Sequence, residues 1–416
     1  MRIAVIGSGI SGLTSAYRLE TCHDVTVFEA SARIGGHTNT VPVSLDGRTF
    51  AIDTGFIVYN QRNYPLFSAL LEELNVETQP TTMSFSVRSD RTGLEYNGTS
   101  LNKLFSQRSN LARPSFWRML RDILRFNRNA PALAGVTGDL TSVEAYVDQE
   151  GYSREFVENY LVPLGASLWS CPPATFRKFP IRFVVEFLQN HAMLQVGGRP
   201  VWRVVKGGSS RYVEKMTARF RRPVLVNTPV QSVERVAGGV RLVDNSGQEA
   251  RFDHVVFACH ADQALRLLAD PTELELELLG AFPYQPNQAI LHTDVSALPR
   301  NRGAWAAWNY RVHREDPDRV AVTYNMNLLQ GLAPEPAFNV TLNDDSRIDA
   351  SRVLRRISYE HPVYTRKRQT AQRRHGELID SNRTSYCGAY WGYGFHEDGV
   401  RSATAVSSAL LQEVAA

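Results

Sequence analysis

Three glycines stand at the spacing Gly7-x-Gly9-x-x-Gly12, just after the β-rich stretch Arg2 to Ile6 and at the start of a helix pattern, Ser11 to Leu19, which carries Leu13, Ala16 and Tyr17 on one helical face. Strand, tight turn and helix in that order suit a pyrophosphate. The glycines let the backbone turn sharply and approach the ligand, and the helix N-terminus offers free N–H groups. Ser8, Ile10 and Ser11 complete the turn. Glu29 ends a second strand pattern, "DVTVFEA", where a carboxylate can accept hydrogen bonds from a ribose diol. These residues alone point to a dinucleotide without saying which. Near the other end of the chain, Tyr393, Gly394, Phe395 and His396 form a second glycine-rich turn before a closing helix. His396 is a candidate acid/base with a pKa near working pH, with Tyr393 and Tyr59 as further catalytic candidates. As plain structure, His396 would be a helix-cap histidine beside Glu397 and Asp398, and Tyr59 would be scaffold.

The elements that must position these groups are α/β. The first segment reads as β-α-β, followed by a helix over "YPLFSALLEELNV" with Leu66, Leu70, Leu71 and Leu74 at helical spacing. Residues 86–202 turn helical, aromatic and basic. Strand patterning returns with hairpin signals at Gly238-Gly239 and Asn245-Ser246-Gly247, then a buried strand from Val255 to Cys259. The expected architecture is a Rossmann-like domain, a parallel sheet with helices, discontinuous in sequence (1–85, 203–275 and 376–416). An α+β substrate domain (86–202 and 276–375) is inserted between its pieces. The chain has 416 residues, a net charge of +4 and four cysteines. That length allows a sizeable core, and that charge gives no bulk attraction to nucleic acid, so no nucleic-acid partner is expected. The cysteines, without CxxC or zinc spacing, read as reduced thiols in a cytoplasmic protein, and no metal site is expected. No apolar run reaches the length of a membrane span.

The cofactor is narrowed by the next words. "FEASARIGGHTNT" resembles the second motif, EA-x-x-R-x-GG-R-x-x-T, of the flavin-containing amine oxidase superfamily, which includes monoamine oxidases, protoporphyrinogen oxidase and carotenoid desaturases. "DTGF" resembles its turn beside the isoalloxazine ring, "NTPVQSVER" its adenine-contacting strand, and "YWGYGFHEDGVRSA" its closing turn. The resemblance implies FAD, held by Gly7, Ser8, Gly9, Ile10, Ser11, Gly12, Glu29, Ala30, Ser31, Arg33, Gly35, Gly36, His37, Thr38, Gly55, Phe56, Ile57, Val230, Gly394, Asp398, Gly399 and Val400. His37 stands where the family often has arginine. Longer phrases, among them "GGHTNTV", "DTGFIVYN", "HPVY" and "YWGYGFHEDG", resemble a bacterial branch of predicted NAD/FAD-binding proteins and the N-terminal extension of plant cyclopropane fatty acid synthases. That branch implies lipid metabolism.

The expected activity is therefore FAD-dependent dehydrogenation of a hydrophobic substrate, an acyl chain or lipid, with hydride transfer to flavin N5 and reoxidation by oxygen or another acceptor. Two alternatives stand beside it: an amine or amino-acid oxidase yielding imine and hydrogen peroxide, and a flavin-binding accessory partner of a lipid-modifying methyltransferase. There is no second GxGxxG for a nicotinamide cofactor. "PSFWRMLRDILRFNRNAP" places Phe116, Leu120, Ile123 and Leu124 on one helical face with Arg118, Arg121, Arg125 and Arg128 largely elsewhere. It reads as a core helix with a solvated basic face or as a peripheral membrane contact. "RKFPIRFVVEFLQNHAML" reads as core or as the lining of an apolar cavity. The basic run from Ser351 to His375 reads as solvated surface.

Overall fold

A computed structural model describes every residue except 46, 136–140, 196, 317, 334 and 413–416. Arg2–Ile6 has an unbroken apolar run, Ile3 to Ile6, and is accordingly buried on both faces. It is an inner strand of a parallel sheet in the order Thr384–Tyr386, His254–Phe257, Arg2–Ile6, Asp24–Phe28. Strands from three distant parts of the chain thus lie side by side, with Val5 between Val256 and Val27. The fingerprint helix, Ile10–Leu19, and the closing helix, His396–Gln412, pack together through Ile10, Leu13, Val400 and Ala403. A three-stranded antiparallel sheet, Val230–Val236, Gly239–Asp244 and Glu249–Phe252, shares a core with the parallel sheet through Val233, Leu242, Val255 and Phe257. Its two turns fall at the expected glycines, Gly238 and Gly247, both with positive φ.

A second body is built on a seven-stranded sheet. Its order is Val353–Pro362, Tyr284–His292, Asn339–Leu342, Val322–Asn325, Trp308–Val312, Phe85–Ser89, Leu94–Asn97. Phe85–Ser89 runs parallel to Trp308–Val312, so the strand beginning at the expected 85/86 boundary joins the later segment. Against this sheet lie helices Pro114–Asn129 and Val162–Trp169, and helix Ile181–Asn190 packs with them in an aromatic core around Phe156, Trp169, Phe176 and Phe179.

Three local expectations need correction. Helix Pro114–Asn129 buries Phe116, Met119, Asp122 and Phe126, while Leu124 is exposed. The stripe continues at i+3, i+6 and i+10 from Phe116, which carries Leu124 round to solvent. Leu66 is likewise exposed at the start of helix Pro65–Glu73, whose inner side is Phe67, Leu70 and Leu71. In the basic run, Arg368 is not solvated. It is fully buried, and its guanidinium lies over the Tyr364 ring at 3.7 Å. No helix among the described residues is long and apolar enough to cross a membrane.

Candidate active site

A cavity of about 1300 Å³ runs between the two bodies, above the usual range of roughly 300–1,000 Å³ for a single small ligand. Its first end is the glycine turn. Gly7 has φ +106°, and a Cβ there would press on the Ala258 carbonyl. A Cβ at Gly12 would collide with the carbonyl oxygen of Gly7. These two glycines shape the turn, and Gly12 itself stays off the cavity wall. Gly9 differs: a Cβ there would meet nothing within 4 Å, because it faces the cavity. Gly9 also caps the fingerprint helix without any side-chain cap, and no acid occupies the first turn. Free N–H groups therefore open on the cavity where an anion would be stabilised. Glu29 lies on the same wall. One carboxylate oxygen accepts from the Ser8 N–H (3.0 Å) and hydroxyl (2.5 Å), the other from the Ser31 N–H and hydroxyl (both 2.8 Å). Ser31 thus orients Glu29 from outside the wall.

The middle of the cavity is a backbone surface. Ala30, Arg33, Gly35, Gly36 and His37 line it, as do Gly55, Phe56, Ile57 and Val230. Arg33 turns its guanidinium onto the carbonyls of Gly36 (2.6 Å) and Thr38 (2.8 Å), holding the double-glycine loop in shape. The His37 ring stacks on Tyr359 with centroids 5.0 Å apart and lies 5.2 Å from His361. Burial, and then the neighbouring His361 and His260, hold its pKa well below the usual value, so it is neutral where the family often has a cation. Asp53 of the "DTGF" turn is off the wall. It accepts from Thr40 (2.6 Å) and from the Ser209 N–H and hydroxyl (2.9 and 2.8 Å), which ties the turn to helix Ser210–Thr217.

The far end is the closing turn. Tyr393, Gly394, Phe395 and His396 line the cavity. His396, the acid/base candidate, is enclosed. Its ring stacks on Phe56 at 3.5 Å, and Nε2 meets Thr38 Oγ1 (3.0 Å) and the Tyr212 hydroxyl (3.1 Å). Burial pushes its pKa down to about 3, so it stays neutral. The adjacent acids face elsewhere. Glu397 accepts from the Leu66 and Phe67 N–H groups, capping helix Pro65–Glu73. Asp398 accepts from the Phe395 N–H (3.1 Å), folded beneath Gly392, and burial raises its pKa to about 6. Asp398, Gly399 and Val400 lie inside the closing helix rather than on the wall; Gly399 abuts Ile10 and Ser11, and Val400 is core. Thr38 is also behind the wall. Tyr59 is buried against Tyr64 and Phe67 and does not reach the cavity.

Sequence reading missed several groups that converge here. Tyr212, from a plain helix, reaches His396. His260 and Glu360 meet at 3.2 Å on the wall, and His361 and Tyr359 join from strand Val353–Pro362. Only the "HPVY" phrase hinted at that strand. Arg368 donates to the carbonyls of Tyr390 (3.2 Å) and Gly392 (3.0 Å), and Gln372 donates to the same two. Beyond the closing turn the wall is apolar and aromatic: Phe187 stacks on Phe395 (5.3 Å) and meets Tyr393 (5.6 Å).

An uncapped helix N-terminus, a glycine open to the cavity, a supported ribose acid and a long backbone-lined channel fit an FAD laid from Gly9 toward the closing turn. The matching family model, flavin-containing amine oxidoreductase, covers residues 10–302. An L-amino-acid oxidase from Siganus canaliculatus is 22% identical over 322 residues, 70% of this chain; the match spans 56% of that relative, about half its length. Cyclohexylamine oxidase from Brevibacterium oxydans IH-35A superposes with TM-score 0.72 at 15% identity, over 100% of this chain and 99% of that one. A CLA-producing fatty acid isomerase from P. acnes superposes with TM-score 0.66 at 14% identity, over 99% and 98%. At such identity these structures share the fold. The chain belongs to the flavin-containing amine oxidoreductase family, and its cofactor is FAD.

Proposed function

We propose that this FAD-dependent oxidoreductase dehydrogenates a hydrophobic substrate, a fatty-acyl chain or other lipid, at a membrane surface. One observation carries the reading. Past the closing turn the cavity wall includes Met83, Phe85, Leu164, Leu168, Trp169 and Leu342, with Ser84, Ser167 and Ser170 among them, and the carboxylates on the described wall are Glu29 and Glu360, already engaged by Ser8 and Ser31 and by His260. A buried ammonium group requires a counter-charge or strong acceptors, whereas an acyl chain requires only apolar surface. FAD, when bound, would supply the redox chemistry as acceptor of a hydride equivalent, with oxygen or another acceptor as the final oxidant. The chain's own residues orient the substrate and exclude water. Phe187, Phe395 and Tyr393 form an aromatic slot, and Phe56 and His396 stack as a rigid wall beside it. Burial pushes the Tyr393 phenol up to about 12, so it can donate a hydrogen bond at neutral pH but cannot act as a base.

Anaerobic titration of the yellow holoprotein tests this. Oleic acid or phospholipid in detergent is expected to bleach the flavin, and cyclohexylamine and L-amino acids are not. Bleaching by amines or amino acids alone overturns the reading in favour of the second one, an amine or amino-acid oxidase. One feature supports that alternative: exposed Arg199 lies on the cavity wall with no carboxylate partner among the described residues, and can clamp a substrate carboxylate. Flavin left oxidised by both classes supports the accessory role beside a lipid-modifying methyltransferase.

A further inference from the structure

Four of the exposed large apolar side chains fall within one short stretch: Leu101 (77% exposed), Leu111 (52%), Trp117 (49%) and Leu124 (61%). They form one patch. The Trp117 indole N–H donates to the Leu111 carbonyl (2.9 Å), and its ring lies 5.4 Å from Phe105, whose N–H bonds back to Leu101 (3.1 Å). Leu124 is two helical turns beyond Trp117 and so shares its face. The segment that carries the patch is basic, and the acid Glu155 reaches its edge only to pair with Arg118. Across residues 98–135 the only acid is Asp122, which is buried. Arg118 is paired with Glu155, and Arg125 lies between Asp122 and the Tyr152 ring. Lys103, Arg108, Arg113 and Arg128 have no carboxylate partner among the described residues, and the side chain of Arg121 is 75% exposed. The patch also runs up to the cavity: Gly98 and Thr99 are exposed, line the cavity, and lie just before Leu101.

We infer that this face is a docking surface for an anionic lipid bilayer. The inference rests on the acyl-substrate reading for its purpose, and on exposure and charge for its geometry. Leucine and tryptophan insert at the headgroup–acyl boundary while the surrounding cations meet anionic headgroups. Docking sets Gly98 and Thr99 against the membrane, so an acyl chain passes into the cavity without crossing water. A soluble protein partner would ordinarily offer acids at defined positions. A bilayer needs only a diffuse negative surface, which suits cations scattered round an apolar centre.

The test is flotation of the FAD-loaded protein with phosphatidylcholine vesicles, with and without phosphatidylglycerol. Binding is expected to be at least about tenfold tighter with phosphatidylglycerol and to fall as salt rises. Leu101→Ser with Leu124→Ser is expected to reduce binding about tenfold or more, and so is Arg113→Glu with Arg121→Glu. Retained flavin absorbance in both variants shows that the fold is intact. Failure to bind anionic vesicles at low salt overturns the inference, as does binding that neither pair of substitutions alters. Substrate chemistry is read separately, by flavin bleaching in detergent without vesicles. Vesicle binding without bleaching by any acyl compound supports the surface and overturns only the substrate reading.

Discussion

At the phosphate end of the cavity, Gly7, Gly9 and Gly12 act through backbone within a single turn, and Glu29 is set by Ser8 and Ser31 close by. At the closing end, the wall from Tyr393 to His396 is held by side chains from far away. Arg368 and Gln372 grip the carbonyls of Tyr390 and Gly392, and Thr38 and Tyr212 meet the His396 ring. The first region binds by local geometry, and the second is an assembled surface whose side chains have neighbours no nearby residue could predict. Substitutions at the first should therefore separate cleanly into effects on fold and effects on ligand, while those at the second should blend the two.

The largest effect is expected at Gly12→Ala. The added methyl has no room beside the Gly7 carbonyl, and the fold should lose at least about 3 kcal/mol, read by chemical denaturation. Gly9→Val sharpens the contrast, because its side chain enters the open cavity. The denaturation midpoint of the apoprotein should hold while FAD affinity falls about 100-fold or more, near 2.7 kcal/mol. A lowered midpoint in Gly9→Val would break the separation. Glu29→Ala should cost about 10- to 100-fold in FAD affinity through lost charge-assisted hydrogen bonds to the ribose, measured by fluorescence titration.

Acid tests the assembled regions. His254, His292 and His361 are held at about 4 and His396 at about 3, against an ordinary 6.5, because burial disfavours the imidazolium. The unfolded chain takes up these protons below pH 6.5, so stability is full above that value and falls on acidification, by roughly 2 kcal/mol per imidazole at pH 5. Asp53 and Asp398, raised to about 6, work the other way and gain about 1 kcal/mol each on the same change. The net expectation is a lower denaturation midpoint at pH 5 than at pH 7. The smallest effect concerns His396→Gln. Flavin reduction by a substrate that bleaches the wild type should keep its pH profile between 5 and 8, since the imidazole is neutral throughout. A lost break near 6.5 would show that the wild-type ring does titrate.

Much of the fold was legible because its signals are local. The apolar run at Ile3 to Ile6, the glycine turn and the hairpin glycines each specify an element through residues that touch one another. The cavity-lining backbone was legible for the same reason, from Gly7 to Gly9 and Gly35 to His37. Misreadings arose where sequence neighbours stood in for spatial ones. His396 was read as an imidazole near its ordinary pKa or as a helix cap beside Glu397 and Asp398, yet both acids accept backbone N–H groups elsewhere and Phe56 covers the ring. Arg368, one arginine in a basic run, is drawn inside because the closing turn needs donors for its carbonyls. Tyr212 left no signal, since a lone tyrosine on an amphipathic helix is ordinary core.

By itself, then, the sequence determined the cofactor and the strand–turn–helix whose uncapped N-terminus opens on the cavity. There the chemistry is done by backbone, and backbone shape follows from glycines a few residues apart. Only the tertiary structure decided the protonation state of His396, the retreat of Asp398 and Tyr59 from the wall, and the apolar lining beyond Tyr393. Each depends on burial and on side chains brought together from distant segments, and neither can be read from residues adjacent in the chain.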